Sequence, residues 1–239
     1  MRRIIALHLL LPNKKSQDRV GSDIEMVKLW YQHIRECGAF DDQVSIIVNH
    51  SLLDNFCTGL DIIRISPTIL SIADIQLLKI KMLLDLHSKP NDVMMLDLDI
   101  LAVGSLNRLF DGEGDLRTAS SFIGLFDRRH AGFLMPKWKR HLHAAIFRNR
   151  ESFNTCVMVA NGDIKERLNG AIEGFKHLQP FPLGDQTLIN FLAYRGVIDI
   201  QKYCNSTVQH SNWSQSDHAI LWHFPVADRL GKMRELSLL

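Results

Sequence analysis

The sequence predicts an α/β fold with a mostly parallel, mixed sheet flanked by helices. The chain has 239 residues, of which 46% are hydrophobic and 23% charged, as in ordinary globular proteins. Short apolar runs alternate with helical patterns in the order β-α-β-β-α-β through the first half, which indicates parallel strands joined by crossover helices. Because a domain has about 150 residues and no linker or repeat interrupts the pattern, we predict a single domain over residues 1–239.

The first half of the chain contains the clearest elements. Residues 4–11 form a continuous apolar run, which is typical of a strand buried on both faces. Ser22 and Asp23 are candidate helix caps ahead of apolar residues at helical spacing, and Gly38 is expected to end that helix. Apolar patterns then predict strands at residues 44–48, 60–65 and 93–96, with a helix at residues 72–87.

The second half is less regular. Its patterns predict a short helix at residues 105–110, a strand at 153–159, helices at 163–175 and 185–194, and a late strand at 220–224.

Charge and cysteine usage exclude several classes of protein. The 28 basic and 26 acidic side chains give a formal charge of +2, which is too balanced for a surface built throughout to hold nucleic acid. No apolar run reaches the roughly 18 residues needed to cross a bilayer, and the apolar run after Arg2 and Arg3 lacks a cleavage site of small residues. The 4 cysteines lack metal-binding or redox spacing and indicate free thiols in the cytoplasm: Cys37, Cys57, Cys156 and Cys204.

Asp97 and Asp99 follow a predicted buried strand. In extended backbone, side chains separated by one residue point the same way, so two carboxylates converge where ligands bind in open α/β sheets. Like charges at this separation favour a bound divalent cation with oxygen ligands. The alternative is a polar strand end with two solvated aspartates.

The surrounding segment at residues 91–110, NDVMMLDLDILAVGSLNRLF, resembles the metal-binding stretch of nucleotide-sugar glycosyltransferases with the GT-A fold. It is most similar to family 8, the retaining group that includes glycogenin and bacterial lipopolysaccharide galactosyltransferases. Three further segments resemble family motifs in the same order: FNTCVMV at 153–159, PLGDQTLIN at 182–190 and WHF at 222–224.

The resemblance implies a hexosyltransferase that moves a sugar from a nucleoside-diphosphate sugar, a UDP-sugar in this family, to an acceptor hydroxyl with retention. It implies that Asp97, Asp99 and His223 hold Mn²⁺ or Mg²⁺. Donor-binding residues would be Lys81, Asp97, Asn154, Arg229 and Lys232, with Asp185 and Gln186 near the reacting carbon. Each has a simpler alternative, such as a solvated surface charge, an ordinary histidine, or a helix N-cap for Asp185.

The chain also departs from the family pattern. Val226 replaces a glycine, Leu230 and Gly231 replace a Pro-Trp pair, and Cys156 replaces a glycine of the Phe-Asn strand. Residues 9–15 lack the acidic and aromatic segment that surrounds the nucleobase in the family. These departures favour an alternative in which the domain is a catalytically silent binding module. A nucleotidyltransferase is a further alternative, but it would normally have a glycine-rich basic loop after the first strand.

A basic stretch separates the family-like segments. Asp127 precedes the stretch, and no acidic residue follows until Glu151. Basic and aromatic side chains in such a stretch suit an anionic acceptor, whether a phosphorylated glycan, a lipid-linked sugar or a nucleic acid bearing modified bases. The alternative is a solvated basic helix with Trp138 packed on the protein body. The candidate acceptor-binding residues are Arg128, Arg129, Trp138, Lys139 and Arg140.

Overall fold

The computed structural model describes residues 1–10, 18–54, 56, 58–66, 72–89, 92–130, 132–146, 151–161, 164–178, 181–210, 218–225 and 228–237. Two predictions, the change at Val226 and the free thiol of Cys57, lie outside these ranges. The backbone groups into two compact units. The first contains residues 1–68, 92–111 and 205–239, and the second contains residues 69–91 and 112–204. The single domain over residues 1–239 stays a prediction.

The first unit has a parallel sheet built from strands β1 (Arg3–His8), β2 (Gln43–Val48), β3 (Leu60–Arg64) and β4 (Val93–Leu96). Their order is β3-β2-β1-β4, and neighbouring strands pair in parallel. Apart from half-buried Leu7, the apolar side chains of β1, β2 and β4 are almost completely buried, as expected for strands covered on both faces. Helix α1 (Val20–Glu36) buries Met26, Val27, Trp30 and Ile34.

A smaller sheet completes the first unit. It contains β5 (Ile100–Ala102), β9 (Val208–His210) and β10 (Leu221–His223) in the order β5-β10-β9. A short 3₁₀ helix covers Leu106–Leu109, and helix α6 covers Arg229–Ser237.

The second unit has strands β6 (Leu116–Gly124), β7 (Glu151–Ala160) and β8 (Ile200–Lys202) in the order β7-β6-β8. The β6–β7 pair is antiparallel and the β6–β8 pair is parallel. Its helices are α2 (Ile72–Leu86), α3 (Lys137–Ile146), α4 (Ile164–Phe175) and α5 (Asp185–Tyr194), with a 3₁₀ turn at Lys176–Leu178. The mixed set of strands flanked by helices confirms the predicted α/β fold class.

The predicted caps of the first helix are wrong. Helix α1 begins at Val20 after an N-cap at Arg19, so Ser22 and Asp23 both lie inside its first turn. The Ser22 hydroxyl donates to the carbonyl of Arg19 at 2.8 Å, which is the backward contact of a serine within a helix. Asp23 then places a carboxylate near the positive end of the helix.

Candidate functional site

One candidate site lies in the first unit, where Asp97, Asp99 and His223 come together. One ligating atom from each lies within 4.8 Å of the others. Strand β10 pairs with β5 so that His223 stands opposite Ile100, and the amide of Phe224 donates to the Asp99 carbonyl at 2.9 Å. This pairing brings a histidine from late in the chain next to an aspartate from the end of β4.

The chemistry of this donor set fits a hard or borderline divalent cation. Carboxylate oxygens suit Mg²⁺ and Mn²⁺, and an imidazole is acceptable to Mn²⁺. Asp99 and His223 are 9% and 5% exposed, so the Asp99 carboxylate is largely shielded from water. A cation bound there would compensate its negative charge.

Arg229 lies beside the same group. Its Nη1 donates to Oδ2 of Asp99 at 2.9 Å, and Nε2 of His223 lies 3.6 Å from Oδ1. Lys232, the other predicted diphosphate-binding residue, instead donates to Glu235 at 3.0 Å on an exposed part of α6. The structure therefore brings Arg229, rather than Lys232, to the acidic pair.

A second histidine orients His223. The two Nδ1 atoms of His210 and His223 lie 3.0 Å apart, and both side chains are buried. When Nδ1 of His223 carries the proton and donates to His210, its Nε2 keeps a lone pair for a cation. Such a partner is the usual means of fixing the tautomer of a metal-binding histidine.

A cleft of about 520 Å³ opens beside the acidic pair in the first unit. Its wall includes the end of β1 and the start of α1 as well as the residues just described. It therefore offers an anion-binding arginine, several carboxylates and apolar surface to one ligand. Residues lining it include Leu7, His8, Arg19, Asp23, Asp97, Asp99, Asp228 and Arg229.

His8 lines this cleft and carries a buried hydrogen-bond donor. The amide of Leu52 donates to Nδ1 of His50 at 3.2 Å, so the proton of a neutral His50 resides on Nε2, which lies 2.7 Å from Nδ1 of His8. Nε2 of His8 must then carry the proton, and it has no hydrogen-bond partner among the described residues. The nearest carboxylate, that of Asp23, is 3.8 Å away, too far for a hydrogen bond.

Burial keeps this imidazole neutral. His8 is 5% exposed, and burial together with His50 lowers its pKa to about 4, against a smaller opposing effect of Asp23. Burial also lowers the pKa of His50. The end of β1 therefore offers a neutral N–H group near a carboxylate.

The second unit has a candidate site of its own at the start of α5. Gly184 precedes the helix with φ +57° and ψ −129°, a conformation that L side chains avoid. Asp185 and Gln186 follow in the first turn, which is positively polarised by the helix. Buried Asn190 accepts from the amide of Phe153 at 2.8 Å and donates to its carbonyl at 2.7 Å, which fastens α5 to β7.

The basic residue beside Asp185 is Lys79. Its Nζ lies 3.8 Å from Oδ2 of Asp185 and donates to the carbonyl of Thr155. The sequence argument chose Lys81 for a donor contact, and Lys81 is half-buried on the same helix. In the described contacts of this unit, Lys79 is the lysine brought to Asp185, and the role of Lys81 stays a prediction.

Gln186 is held by two polar neighbours. Its side-chain nitrogen lies 3.3 Å from Oγ of Ser121 and 3.4 Å from Nε2 of His130. His130 is fully buried, and this burial lowers its pKa to about 4 despite the opposing charge of Asp127. A neutral imidazole therefore lies against the Gln186 amide.

Asn154 is buried on β7. Its Oδ1 accepts from the amide of Cys156 at 2.9 Å, so much of its acceptor capacity is used within the strand. Cys156, at the position of the family glycine, is 1% exposed and lies within the core.

The candidate acceptor residues are on the surface of the second unit. Arg129 pairs with Asp127 at 2.8 Å, whereas Arg128 and Lys139 are exposed and Arg140 is half-buried. Trp138 is 68% exposed, so the alternative in which it packs on the protein body is wrong.

Several residues at these sites were missed from the sequence: His8, His50, Lys79, His130 and His210. One signal was available for the first two, since His8 ends β1 and His50 follows β2, and the carboxyl ends of neighbouring parallel strands meet at one edge. The others are brought into place by long-range contacts that local spacing does not encode.

No known family model and no curated protein sequence matches the chain. Solved structures do match. The structure of an active-site mutant of LgtC aligns with a TM-score of 0.57 at 11% identity, covering 98% of this chain and 95% of that one. Mouse xyloside xylosyltransferase 1 aligns with a TM-score of 0.62 at 11% identity, covering 94% and 97%. The glycosyltransferase GlyE of Streptococcus pneumoniae aligns with a TM-score of 0.55 at 14% identity, covering 100% and 61%.

At these identities the likeness shows a shared fold. The prediction of a GT-A fold is confirmed, while membership of family 8 stays a prediction.

Proposed function

We propose that this chain, which has the fold of known glycosyltransferases, is a metal-dependent retaining glycosyltransferase that uses a nucleoside-diphosphate sugar. The observation that carries the proposal is the convergence of Asp97, Asp99 and His223 within 4.8 Å, beside Arg229 and a cleft of about 520 Å³. A galactosyltransferase of the same fold, LgtC, has been solved with donor and acceptor sugar analogues.

The first unit would bind the nucleoside diphosphate. Asp97, Asp99 and His223 would hold Mn²⁺ or Mg²⁺, which would supply positive charge to the diphosphate. Arg229 would contact the diphosphate oxygens and stabilise the charge that develops as the sugar departs. The N–H group of His8 and the carboxylate of Asp23 form a donor and acceptor pair for the nucleoside, and a uracil edge has the complementary groups.

The second unit would bind the sugar. Asp185, held by Lys79, would accept hydrogen bonds from sugar hydroxyls, and Asn154 would contact the same sugar. The Gln186 amide can orient the sugar and stabilise positive charge at its anomeric carbon, but an amide takes no proton at neutral pH. We therefore propose that the acceptor proton passes to the departing phosphate oxygen, on one face of the sugar, which retains the configuration.

The three cysteines described by the structure, Cys37, Cys156 and Cys204, are all free thiols. They support the proposal that the protein works in the reducing cytoplasm. No helix in the described part of the chain is long and apolar enough to cross a membrane.

A silent binding module is the second candidate function. The departures at Leu230, Gly231 and Cys156 favour it, because residues 229–237 form a helix in place of the family's Pro-Trp segment. The intact Asp97, Asp99 and His223 group argues for an active enzyme, since a silent domain needs no convergent ligand set.

Thermal unfolding with a panel of nucleotide sugars tests the proposal. Each would be added with Mn²⁺, Mg²⁺ or EDTA. A ligand at 100 times its dissociation constant adds about 2.7 kcal/mol to the free energy of unfolding. We expect stabilisation by one nucleotide sugar only when a metal is present, and release of its nucleoside diphosphate when an acceptor is added. Nuclear magnetic resonance of the product would report the anomeric configuration.

Matched variants make the test specific. Asp99→Asn should abolish metal-dependent stabilisation, whereas Asp41→Asn, an exposed aspartate outside the cleft, should leave it intact. Binding without sugar release would favour the silent module. Equal stabilisation of the Asp99→Asn and parent proteins would overturn the proposed metal site.

A further inference from the structure

Four large apolar side chains lie exposed along one short stretch of the second unit. Leu134, Trp138, Leu142 and Ile146 are 48%, 68%, 49% and 61% exposed. Among described residues, only Met1 and Leu52 are also recorded as large exposed apolar side chains. A soluble monomer normally scatters such residues, so their concentration here calls for a partner.

Helix α3 presents three of them on a single face. Trp138, Leu142 and Ile146 recur at a spacing of four, which places them along one side of the helix. Ala144 faces the protein instead, packed against Leu125 and Phe126. None of the α3 residues is buried, so the helix rests on the unit by a narrow contact and leaves its apolar side open.

Contacts of His143 hold α3 in this orientation. Its Nδ1 lies 3.1 Å from the Tyr194 hydroxyl, and its ring packs edge-on against Phe126 with centroids 5.6 Å apart. His143 and Ala144 thus attach α3 to the rest of the unit. The exposed side is therefore presented by a fixed helix.

The same helix is strongly basic. No acidic residue occurs in residues 128–146 of the sequence. A cleft of about 450 Å³ beside α3 is lined by Arg128, Lys137, Arg140 and His141, together with Asp127. Lys139 is exposed next to the apolar side. By helical spacing Lys139 borders the apolar stripe, whereas Lys137, Arg140 and His141 lie towards the side of the helix that carries Ala144.

We infer that α3 and the residues around it form a docking surface for an anionic lipid bilayer. An amphipathic helix with basic flanks lies in the membrane interface, with its apolar side among the acyl chains and its cations at lipid phosphates. Tryptophan favours this interface because its ring is apolar and its N–H is polar. A nucleic acid would use the basic groups but would leave Leu134, Leu142 and Ile146 in water.

The inference goes beyond the proposed transferase. A transferase held at a membrane would act on a lipid-linked acceptor, and only this consequence rests on the proposed function. The test therefore uses the full chain in EDTA without any nucleotide sugar, so that its outcome is independent of catalysis.

Co-sedimentation with lipid vesicles tests the surface. We expect binding to vesicles of equimolar phosphatidylcholine and phosphatidylglycerol, and much weaker binding to phosphatidylcholine alone. Raising the salt concentration should weaken the binding, because each basic contact contributes about fivefold to the affinity. Acyl chains brominated near the headgroup should quench the fluorescence of the parent protein but quench that of Trp138→Phe much less.

Two sets of variants separate the apolar and basic contributions. Trp138→Ser/Leu142→Ser should lose vesicle binding, while Leu52→Ser, at an exposed leucine of the first unit, should retain it. Lys137→Gln/Lys139→Gln/Arg140→Gln should reduce the affinity by at least about fivefold, the contribution of Lys139 beside the apolar stripe. Lys28→Gln/Lys165→Gln/Arg195→Gln removes the same charge elsewhere and should change the affinity far less. All variants alter side chains outside the core, and unchanged circular dichroism would verify their folding.

Three results would overturn the inference. One is equal affinity for the two kinds of vesicle, and another is full binding by Trp138→Ser/Leu142→Ser. The third is tight retention on double-stranded DNA, unaffected by the serine changes, with no binding to anionic vesicles; that result would assign the basic cleft to nucleic acid.

Discussion

Arg229 donates to Oδ2 of Asp99 at 2.9 Å, so an arginine neutralises one carboxylate of the candidate metal group. The Asp99 side chain is largely buried, whereas that of Arg229 is 42% exposed. Removing the arginine leaves the negative charge of the buried Asp99 carboxylate less well balanced, but a bound cation would supply the missing positive charge. Metal should therefore stabilise an Arg229 variant more than it stabilises the parent protein.

We predict that Arg229→Ala lowers the free energy of unfolding by about 1 kcal/mol in EDTA, a value reduced for the exposure of the guanidinium. The deficit should shrink in saturating Mn²⁺, while sugar transfer should fall because the diphosphate loses its contact. Urea unfolding and initial-rate measurements check this. Arg234→Ala is the control, because Arg234 lies on the same helix as Arg229 but pairs with Glu25 of α1; its effect should be equal with and without metal. An equal deficit for Arg229→Ala in both conditions would contradict the prediction.

His210 should matter for metal binding although it is not itself a predicted ligand. His210→Phe removes the acceptor for Nδ1 of His223, so the tautomer with a free Nε2 is no longer favoured. Losing such a partner typically weakens metal affinity by about 10- to 100-fold. Isothermal titration with Mn²⁺ measures this. His210→Asn keeps an acceptor and should show a smaller loss, whereas equal losses for both variants would indicate that His210 only fills space.

The fold was predictable where one periodicity extends over many residues. The patterns at residues 72–87, 93–96 and 185–194 predicted elements found at Ile72–Leu86, Val93–Leu96 and Asp185–Tyr194. Strands β5, β8 and β9 have only three residues each, too few for alternation to show. Strand β6 buries Arg117, Thr118 and Ser120, so its sequence does not resemble that of a buried strand.

The candidate functional residues also include some that the sequence predicted and some that it did not. Asp97 and Asp99 could be identified because they follow the apolar run of β4, although Leu98 and Asp99 lie in a turn between β4 and β5 and not in the extended backbone that the sequence argument assumed. His210 meets His223 only because β9 and β10 pair in parallel with these two residues opposite each other. The lysine beside Asp185 is Lys79 because of the position of α2 within the second unit, and spacing alone favoured Lys81.

His8 should affect nucleotide binding without affecting metal binding. His8→Phe removes the N–H group that has no partner among the described residues, and one hydrogen bond corresponds to about fivefold to tenfold in affinity. We expect this loss for the nucleotide sugar and unchanged affinity for Mn²⁺, both measured by isothermal titration. His8→Gln offers an amide N–H and should recover part of the affinity. A parallel loss of Mn²⁺ affinity would show that His8 supports the fold of the cleft instead.

Gly184 should be needed for the position of Asp185. Gly184→Ala forces a side chain into φ +57° and ψ −129°, which costs about 1–3 kcal/mol in the free energy of unfolding. Sugar transfer should fall as well, because relief of the strain moves the first turn of α5. Gly170→Ala is the matched control, since Gly170 lies within α4 with nothing near its added Cβ; that change should stabilise the helix. An unchanged free energy of unfolding for Gly184→Ala would contradict the predicted backbone strain.

His130 and His8 should make the fold sensitive to mild acid. Burial lowers the pKa of each to about 4 in the folded protein, whereas an unfolded histidine has a pKa of about 6.5. Between these values the unfolded chain binds protons that the folded chain does not. The free energy of unfolding is therefore unaffected by these histidines above pH 6.5. It falls as the pH drops towards 4, by about 1.4 kcal/mol per pH unit for each histidine.

Urea unfolding at a series of pH values measures this loss. His130→Gln keeps a polar group beside Gln186 but cannot take up the proton, so its free energy of unfolding should fall less steeply between pH 6.5 and 4 than that of the parent protein. His141→Gln, at an exposed position on α3, should keep the parent slope. Since His130 also lies against Gln186 at 3.4 Å, protonating it would place a positive charge beside the amide proposed to stabilise the sugar. Because folded His130 takes up its proton only near pH 4, sugar transfer should decline as the pH falls through about 4, and a rate that stays constant well below pH 4 would separate His130 from the reaction.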